Sequence, residues 1–145
     1  MPTAPRNILS LDVGDKRVGV AIASLAARLP RPLATLLRGD NFFEELKQII
    51  EAEAVGELVV GLPRGLDGQS TGQTVATEKF VEQLRGEVDQ TIHMQDEALT
   101  SKQAEAELES RGAGHAKADV DALAATYILQ DFLDSYSKIG STETP

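Results

Sequence analysis

The chain contains no cysteine. Disulfides and thiolate metal sites are therefore excluded, and the composition is compatible with a reducing cytosol. No apolar run approaches the length of a membrane span. The opening Met1-Pro2-Thr3-Ala4-Pro5-Arg6 lacks the apolar centre of a signal peptide. The expectation is a cytoplasmic protein with no membrane partner. Positive charge is also scarce. Lys and Arg number 14 against 23 Asp and Glu, a net charge of −9, which argues against an indiscriminate nucleic-acid coat.

What is present suits one domain. The 145 residues, 41% of them hydrophobic, suffice for one real core and are too few for two. The expected domain is 1–138, followed by a disordered polar tail at 139–145. Charge is unevenly placed. Arg6, Lys16, Arg17, Arg28, Arg31 and Arg38 face only three acids, Asp12, Asp15 and Asp40, in residues 1–40. The remainder is acidic, in keeping with solvated helix surfaces. The N-terminal basic residues could form a phosphate-binding edge.

Residues 7–13 and 17–23 read as strands, and the Gly14-Asp15-Lys16 link is short enough for an antiparallel hairpin. A weaker third strand is expected at Leu33–Leu37. Helical spacing of Phe42, Phe43, Leu46, Ile49 and Ile50 predicts a helix over 41–54, with Asp40 as N-cap. Residues 57–61 suit a buried strand, and 62–72 a Gly-containing loop. A helix over 74–85 is expected to bury Val75, Phe80, Val81 and Leu84. A fifth strand follows at 91–95, then a helix from a capping box at Thr100 to about Ser110. A last helix opens near Asp119. Strands alternating with helices imply a partly parallel sheet covered by helices, and the opening hairpin adds an antiparallel part.

Asp12 is the most informative residue. It ends a short apolar strand and opens Asp12-Val13-Gly14-Asp15-Lys16-Arg17-Val18-Gly19-Val20-Ala21. A carboxylate there is costly unless something pairs with it, and a metal ion or a phosphate-bearing substrate is the usual reason to keep it. The bland alternative is a turn residue for the Gly14 loop.

These residues resemble the YqgF family, also called RuvX. Leu11-Asp12-Val13-Gly14 and Arg17-Val18-Gly19-Val20-Ala21 carry the first part of the resemblance. Three later segments agree in order and spacing. They are Val60-Gly61-Leu62-Pro63 with Asp67-Gly68, Asp96-Glu97 with Leu99-Thr100, and Val120-Asp121-Ala122-Leu123-Ala124-Ala125 with Ile128-Leu129. The resemblance spans roughly residues 7–134 and is specific through the four segments together. It implies an RNase H-like fold akin to Holliday-junction resolvases, and a nuclease that matures the precursor of small-subunit (16S) ribosomal RNA. An older assignment of the family is Holliday-junction resolution. The family arginine after the Asp-Glu pair is replaced here by Ala98.

With that resemblance, the motif order and the hairpin start lead to an α/β fold with a five-stranded mixed sheet in the order 3-2-1-4-5. Hydrolysing a phosphodiester needs an activated water, a stabilised leaving oxygen and neutralised phosphate charge. A pair of Mg²⁺ ions roughly 3.5–4 Å apart supplies all three. Mg²⁺ takes hard oxygen ligands and keeps waters, so three carboxylates suffice. Asp12, Glu97 and Asp121 are the expected catalytic and metal-holding residues, with Mg²⁺ or Mn²⁺ as cofactor. Asp96 rivals Glu97, and the resemblance favours Glu97. Asp119 reads as a helix cap, and Asp121 has the alternative of a helix-start acid. Arg17 and Arg64 are candidate phosphate contacts, with ordinary surface arginines as the alternative. The 61–72 loop could offer N–H groups to phosphate or be a plain connection. Thr100 reads as a cap, His93 as a strand side chain and His115 as a loop histidine.

The expected partner is nucleic acid, precursor rRNA ahead of branched DNA, with ribosomal particles possible and a monomer or homodimer as the active form. Two other classes stay open. The Asp-x-Gly start also occurs in actin-like ATPases, which need a second domain that 145 residues cannot hold. A non-catalytic ribosome-assembly module has no use for clustered acids facing phosphate.

Overall fold

The computed structural model describes residues 7–65, 68–97 and 117–143, with the side chains of 120–135 in the last of these segments. The expected helix over 100–110, with Thr100 and His115, lies outside the described residues, whereas the last helix begins at Lys117, so Asp119 falls within its first turn and not at its cap. Five strands, β1 (Asn7–Val13), β2 (Arg17–Ser24), β3 (Arg31–Leu37), β4 (Val55–Pro63) and β5 (Thr91–Glu97), form one sheet in the order β3-β2-β1-β4-β5. Three helices are described: α1 (Phe42–Ala52), α2 (Gly72–Arg85) and α3 (Lys117–Glu143). β2 runs antiparallel to β1 and β3, whereas β4 is parallel to both β1 and β5. This is the expected RNase H-like order, with β1 at the centre.

Strand alternation divides the molecule into two cores. Leu9, Leu11 and Val13 of β1, Val18, Val20 and Ile22 of β2, and Leu58 and Val60 of β4 pack with Phe42, Leu46, Phe80 and Leu84 of α1 and α2. The alternate residues Ile8, Ala21, Ala23 and Val59 pack against Ala125, Ile128, Leu129 and Leu133 of α3. The α3 face of β2 is thus made of Gly19, Ala21 and Ala23, small enough for the helix to lie close to the sheet. Ser10 crosses that layer, its Oγ donating to the Ala125 carbonyl at 2.6 Å.

The strands extend beyond their apolar runs. β4 gains residues at both ends because it pairs on both sides, and β5 continues through Asp96 and Glu97 opposite Leu62 and Pro63. β3 begins at Arg31 and includes Pro32, which an edge strand tolerates. α1 corrects the expected cap. Asn41, not Asp40, is the N-cap, and it makes no side-chain capping bond. The Phe42 N–H instead reaches the Gly39 carbonyl at 3.2 Å.

α2 is rotated relative to the expected stripe. Its buried residues are Thr74, Thr77, Phe80, Val81 and Leu84, while Val75 is 45% exposed. The Thr71 Oγ1 accepts from the Thr74 N–H, and the Thr71 N–H donates to Thr74 Oγ1. The Thr74 hydroxyl also donates to the Pro63 carbonyl. These bonds draw Thr74 inward and set the helix rotation, which hydrophobic periodicity alone does not register. Thr74→Ala removes the capping partner and leaves the Pro63 carbonyl without its donor. The expected loss is about 1–2 kcal/mol, read as a lower urea midpoint at unchanged slope. Among the described residues, no helix is long and apolar enough to cross a membrane.

Candidate active site

The site forms at the end of β1, where the chain turns into β2. The turn is closed by the Gly14 N–H donating to the Arg17 carbonyl at 2.8 Å. Arg38 braces it from β3's end, Nη1 donating to the Gly14 carbonyl at 2.9 Å and the backbone N–H to the Lys16 carbonyl at 2.8 Å. Its guanidinium also lies over the Phe80 ring, 5.2 Å from the centroid. The hairpin tip is therefore tied to the apolar layer beneath it.

Asp12 points to the α3 face, by the same alternation that directs Ile8 and Ser10 there. Its cross-strand partner in β2 is Gly19. A Cβ built on Gly19 would lie 2.0 Å from the Asp121 carbonyl oxygen. The missing side chain is what lets this turn of α3 rest on β2 and sets Asp121 beside Asp12. The consequence is electrostatic. Burial, and after it the Asp121 carboxylate, push the Asp12 pKa up from 3.8 to about 7. Arg17 answers the other carboxylate, its Nε donating to Asp121 Oδ2 at 2.9 Å. An open groove lined by Gly14, Asp15, Lys16, Arg17 and Asp121 lies alongside.

Glu97 is the last residue of β5, opposite Pro63. Leu11 pairs with Val60 and Val60 with Met94. One residue further, Asp12, Gly61 and Gln95 share the α3 face, and Glu97 shares it with Gln95. Asp96 points to the other face. Strand spacing puts the Glu97 Cα roughly 12 Å from that of Asp12. The structure thus brings Asp12, Asp121 and Arg17 together and sets Glu97 on their side of the sheet, two strands away. Arg64 stands apart from Arg17, its Nε 3.3 Å from Asp96 Oδ1, and its N–H donates to the Glu97 carbonyl at 2.9 Å. The loop's Gly65 and Gly68 N–H groups are taken by Gln69 and Gly65 carbonyls, so neither offers its donor to a phosphate. His93 binds Glu57 at 2.7 Å and packs on Phe132.

The donor set fits a hard divalent cation. Asp12 and Asp121 offer oxygen alone, and their repulsion, visible in the raised Asp12 pKa, is relieved by positive charge. Among the described residues, no three acidic or histidine side chains gather closely enough to form a complete cage. Mg²⁺, which retains several waters, does not require one. Lys16 stands among the N-terminal basic residues expected at a phosphate-binding edge, and it lines this groove. The sequence reading assigned no role to Gly19. Gly19 carries no chemical signal, since its role is to be absent.

Comparison with known proteins bears on the fold and on the family. The fold is that of the Fowlpox virus resolvase solved with substrate Holliday junction DNA, at TM-score 0.52 and 12% identity, covering 90% of this chain and 98% of that one. A protein of Thermoanaerobacter pseudethanolicus named "Putative pre-16S rRNA nuclease" is 41% identical over 133 residues, 88% of this chain and 96% of its own length. One of the same name from Maridesulfovibrio salexigens is 41% identical over 130 residues, covering 87% of this chain and 96% of its own. The family model RuvX, described as Holliday junction resolvase, matches residues 6–135. A resolvase-type sheet, paired carboxylates at the end of its central strand and relatives matched over nearly their full length lead to one assignment: the chain belongs to the RuvX family of nucleases.

Proposed function

We propose that this protein hydrolyses phosphodiester bonds in the precursor of 16S rRNA, near its 5′ end, with Mg²⁺ or Mn²⁺ as cofactor. The relatives' name supports the substrate. The observation that carries the chemistry is the Asp12–Asp121 pair, held together by Gly19 and poised by a raised pKa. Asp12 and Asp121 hold the cation, with Glu97 contributing from the same face. Bound there, a divalent ion supplies an activated water and neutralises phosphate charge. A proton competes with the cation for the Asp12 carboxylate, so metal binding strengthens as pH rises through about 7. Lys16 and Arg17 line the groove that receives the phosphate backbone, and Arg64, held by Asp96 at the end of β4, is a second phosphate contact separate from that groove. The acting protein is cytoplasmic and meets its RNA within ribosomal particles.

The test is incubation of purified protein with precursor 16S rRNA and with a four-way DNA junction, each with and without Mn²⁺ or Mg²⁺. Metal-dependent shortening of the RNA is the expected result. Cleavage of the junction alone, or cleavage that survives chelation, overturns the reading. The binding face has its own check. Affinity for RNA should fall with salt at a slope of about −0.7 per neutralised phosphate on single strands, and Arg64→Ala should flatten that slope by roughly one contact. An unchanged slope in that variant places the face elsewhere.

A further inference from the structure

Arg17 is the cation paired with Asp121 among the described residues, and its position is particular. Its backbone is fixed. It pairs with Leu37 in the sheet, and its carbonyl accepts from Gly14 at 2.8 Å. Only the side chain is free to move. That side chain holds Asp121 through Nε at 2.9 Å. The contact is with a single carboxylate oxygen, weaker and easier to release than the two-pronged form. Arg17 and Asp121 are 27% and 20% exposed, so a phosphate arriving along the Gly14–Arg17 groove has access to the guanidinium. Asp121 cannot give its full charge to Arg17 and to a divalent cation together, because the two positive groups repel at that range. By contrast, Arg64 is held by an acid that is 68% exposed and lies on the opposite face from Glu97, so its release carries no such exclusion.

We propose that Arg17 is an exchangeable counter-cation: it neutralises Asp121 while no metal is bound, and is handed to the substrate phosphate when a divalent cation takes Asp121. The inference rests on the metal-dependent reading given above and deepens it. It makes Arg17 the group that couples metal entry to substrate capture. In the metal-free protein it prevents two carboxylates from facing each other uncompensated. Once displaced, it adds a phosphate contact only when the site is loaded.

The experiment is calorimetric titration of Mn²⁺ into the full chain, without nucleic acid, for the parent, Arg17→Ala, Arg17→Gln and Asp12→Asn. The expected result is a Kd five- to tenfold lower for Arg17→Ala than for the parent, since the competing cation is gone, and a weakened or lost site in Asp12→Asn. A merely structural role for Arg17 would move the Kd the other way. If the Ala variant does not fold, shown by its circular dichroism, Arg17→Gln is read by the same criterion. An Asp12-dependent Mn²⁺ site that Arg17→Ala or Arg17→Gln leaves equal or weaker overturns the exchange while sparing the metal reading. Mn²⁺ binding that Asp12→Asn does not alter overturns both.

Discussion

Asp12→Asn will lose RNA cleavage by at least about a hundredfold and, in the same protein, gain stability above neutral pH. The two effects share one cause. Asp12 is pushed up to about 7 by burial and by Asp121. The fold therefore favours its protonated form. That contribution to stability is full below the ordinary value of 3.8 and is lost as pH rises through about 7. Asparagine resembles the protonated acid and does not titrate. The variant and the parent should thus differ little in metal-free stability near pH 4. By pH 8 the variant should be ahead by about 2–4 kcal/mol. Urea unfolding at four or five pH values in a chelating buffer measures this directly. A stability difference that stays flat with pH would mean that Asp12 is not held in the environment described. Adding Mn²⁺ should reverse the order at pH 8, because only the parent gains from the ion. Activity of the parent should rise with pH through the same range.

Much of this was legible in the sequence because it is local. The β1–β2 hairpin is written in two alternating apolar runs with a short Gly-containing link, and its order in the sheet follows from that connection. Asp12 stands out because it is the one charged residue of a mostly apolar strand and lies next to its end. The parts that were not legible depend on distant pairs. Arg17 and Asp121 are 104 positions apart, and nothing near Arg17 tells that its partner is a carboxylate of the last described helix. The rotation of α2 depends on the Thr74 hydroxyl finding the Pro63 carbonyl, a bond between side chain and backbone that periodicity does not encode. The Glu97 and Asp96 alternatives become distinguishable by face only when β5 is placed in register with β4, since alternation turns one toward Asp12 and the other away. The Asp40 cap failed for a similar reason, a backbone carbonyl from Gly39 having done the work of a side chain.

The next largest effect is expected at a residue with no side chain. Among the described residues two glycines face α3, and they predict different outcomes when each is given a methyl group. At Gly61 the new Cβ would meet the Ile128 side chain, 2.3 Å from Cδ1. That atom is the far end of a chain that can change rotamer, so Gly61→Ala should cost about 1–2 kcal/mol and leave the acids in place. At Gly19 the obstacle is backbone: the Asp121 carbonyl oxygen at 2.0 Å and its carbon at 2.3 Å. Backbone in a helix cannot turn aside, so α3 must shift off β2 as a unit. Ser10 would then lose its bond to the Ala125 carbonyl, and Arg17 its bond to Asp121. Gly19→Ala should therefore cost about 3 kcal/mol or more. It should also abolish cleavage, although residue 19 offers no group to the chemistry. The Asp12 pKa separates this from simple instability. With Asp121 moved away, one of the two causes that raise it is removed, and the pH above which stability stops falling should move down in Gly19→Ala but stay near 7 in Gly61→Ala. Denaturant titrations across pH for the two variants give both numbers. Equal losses at the two glycines, with the pH midpoint unmoved, would show that the seating of α3 on Gly19 does not hold the acids together.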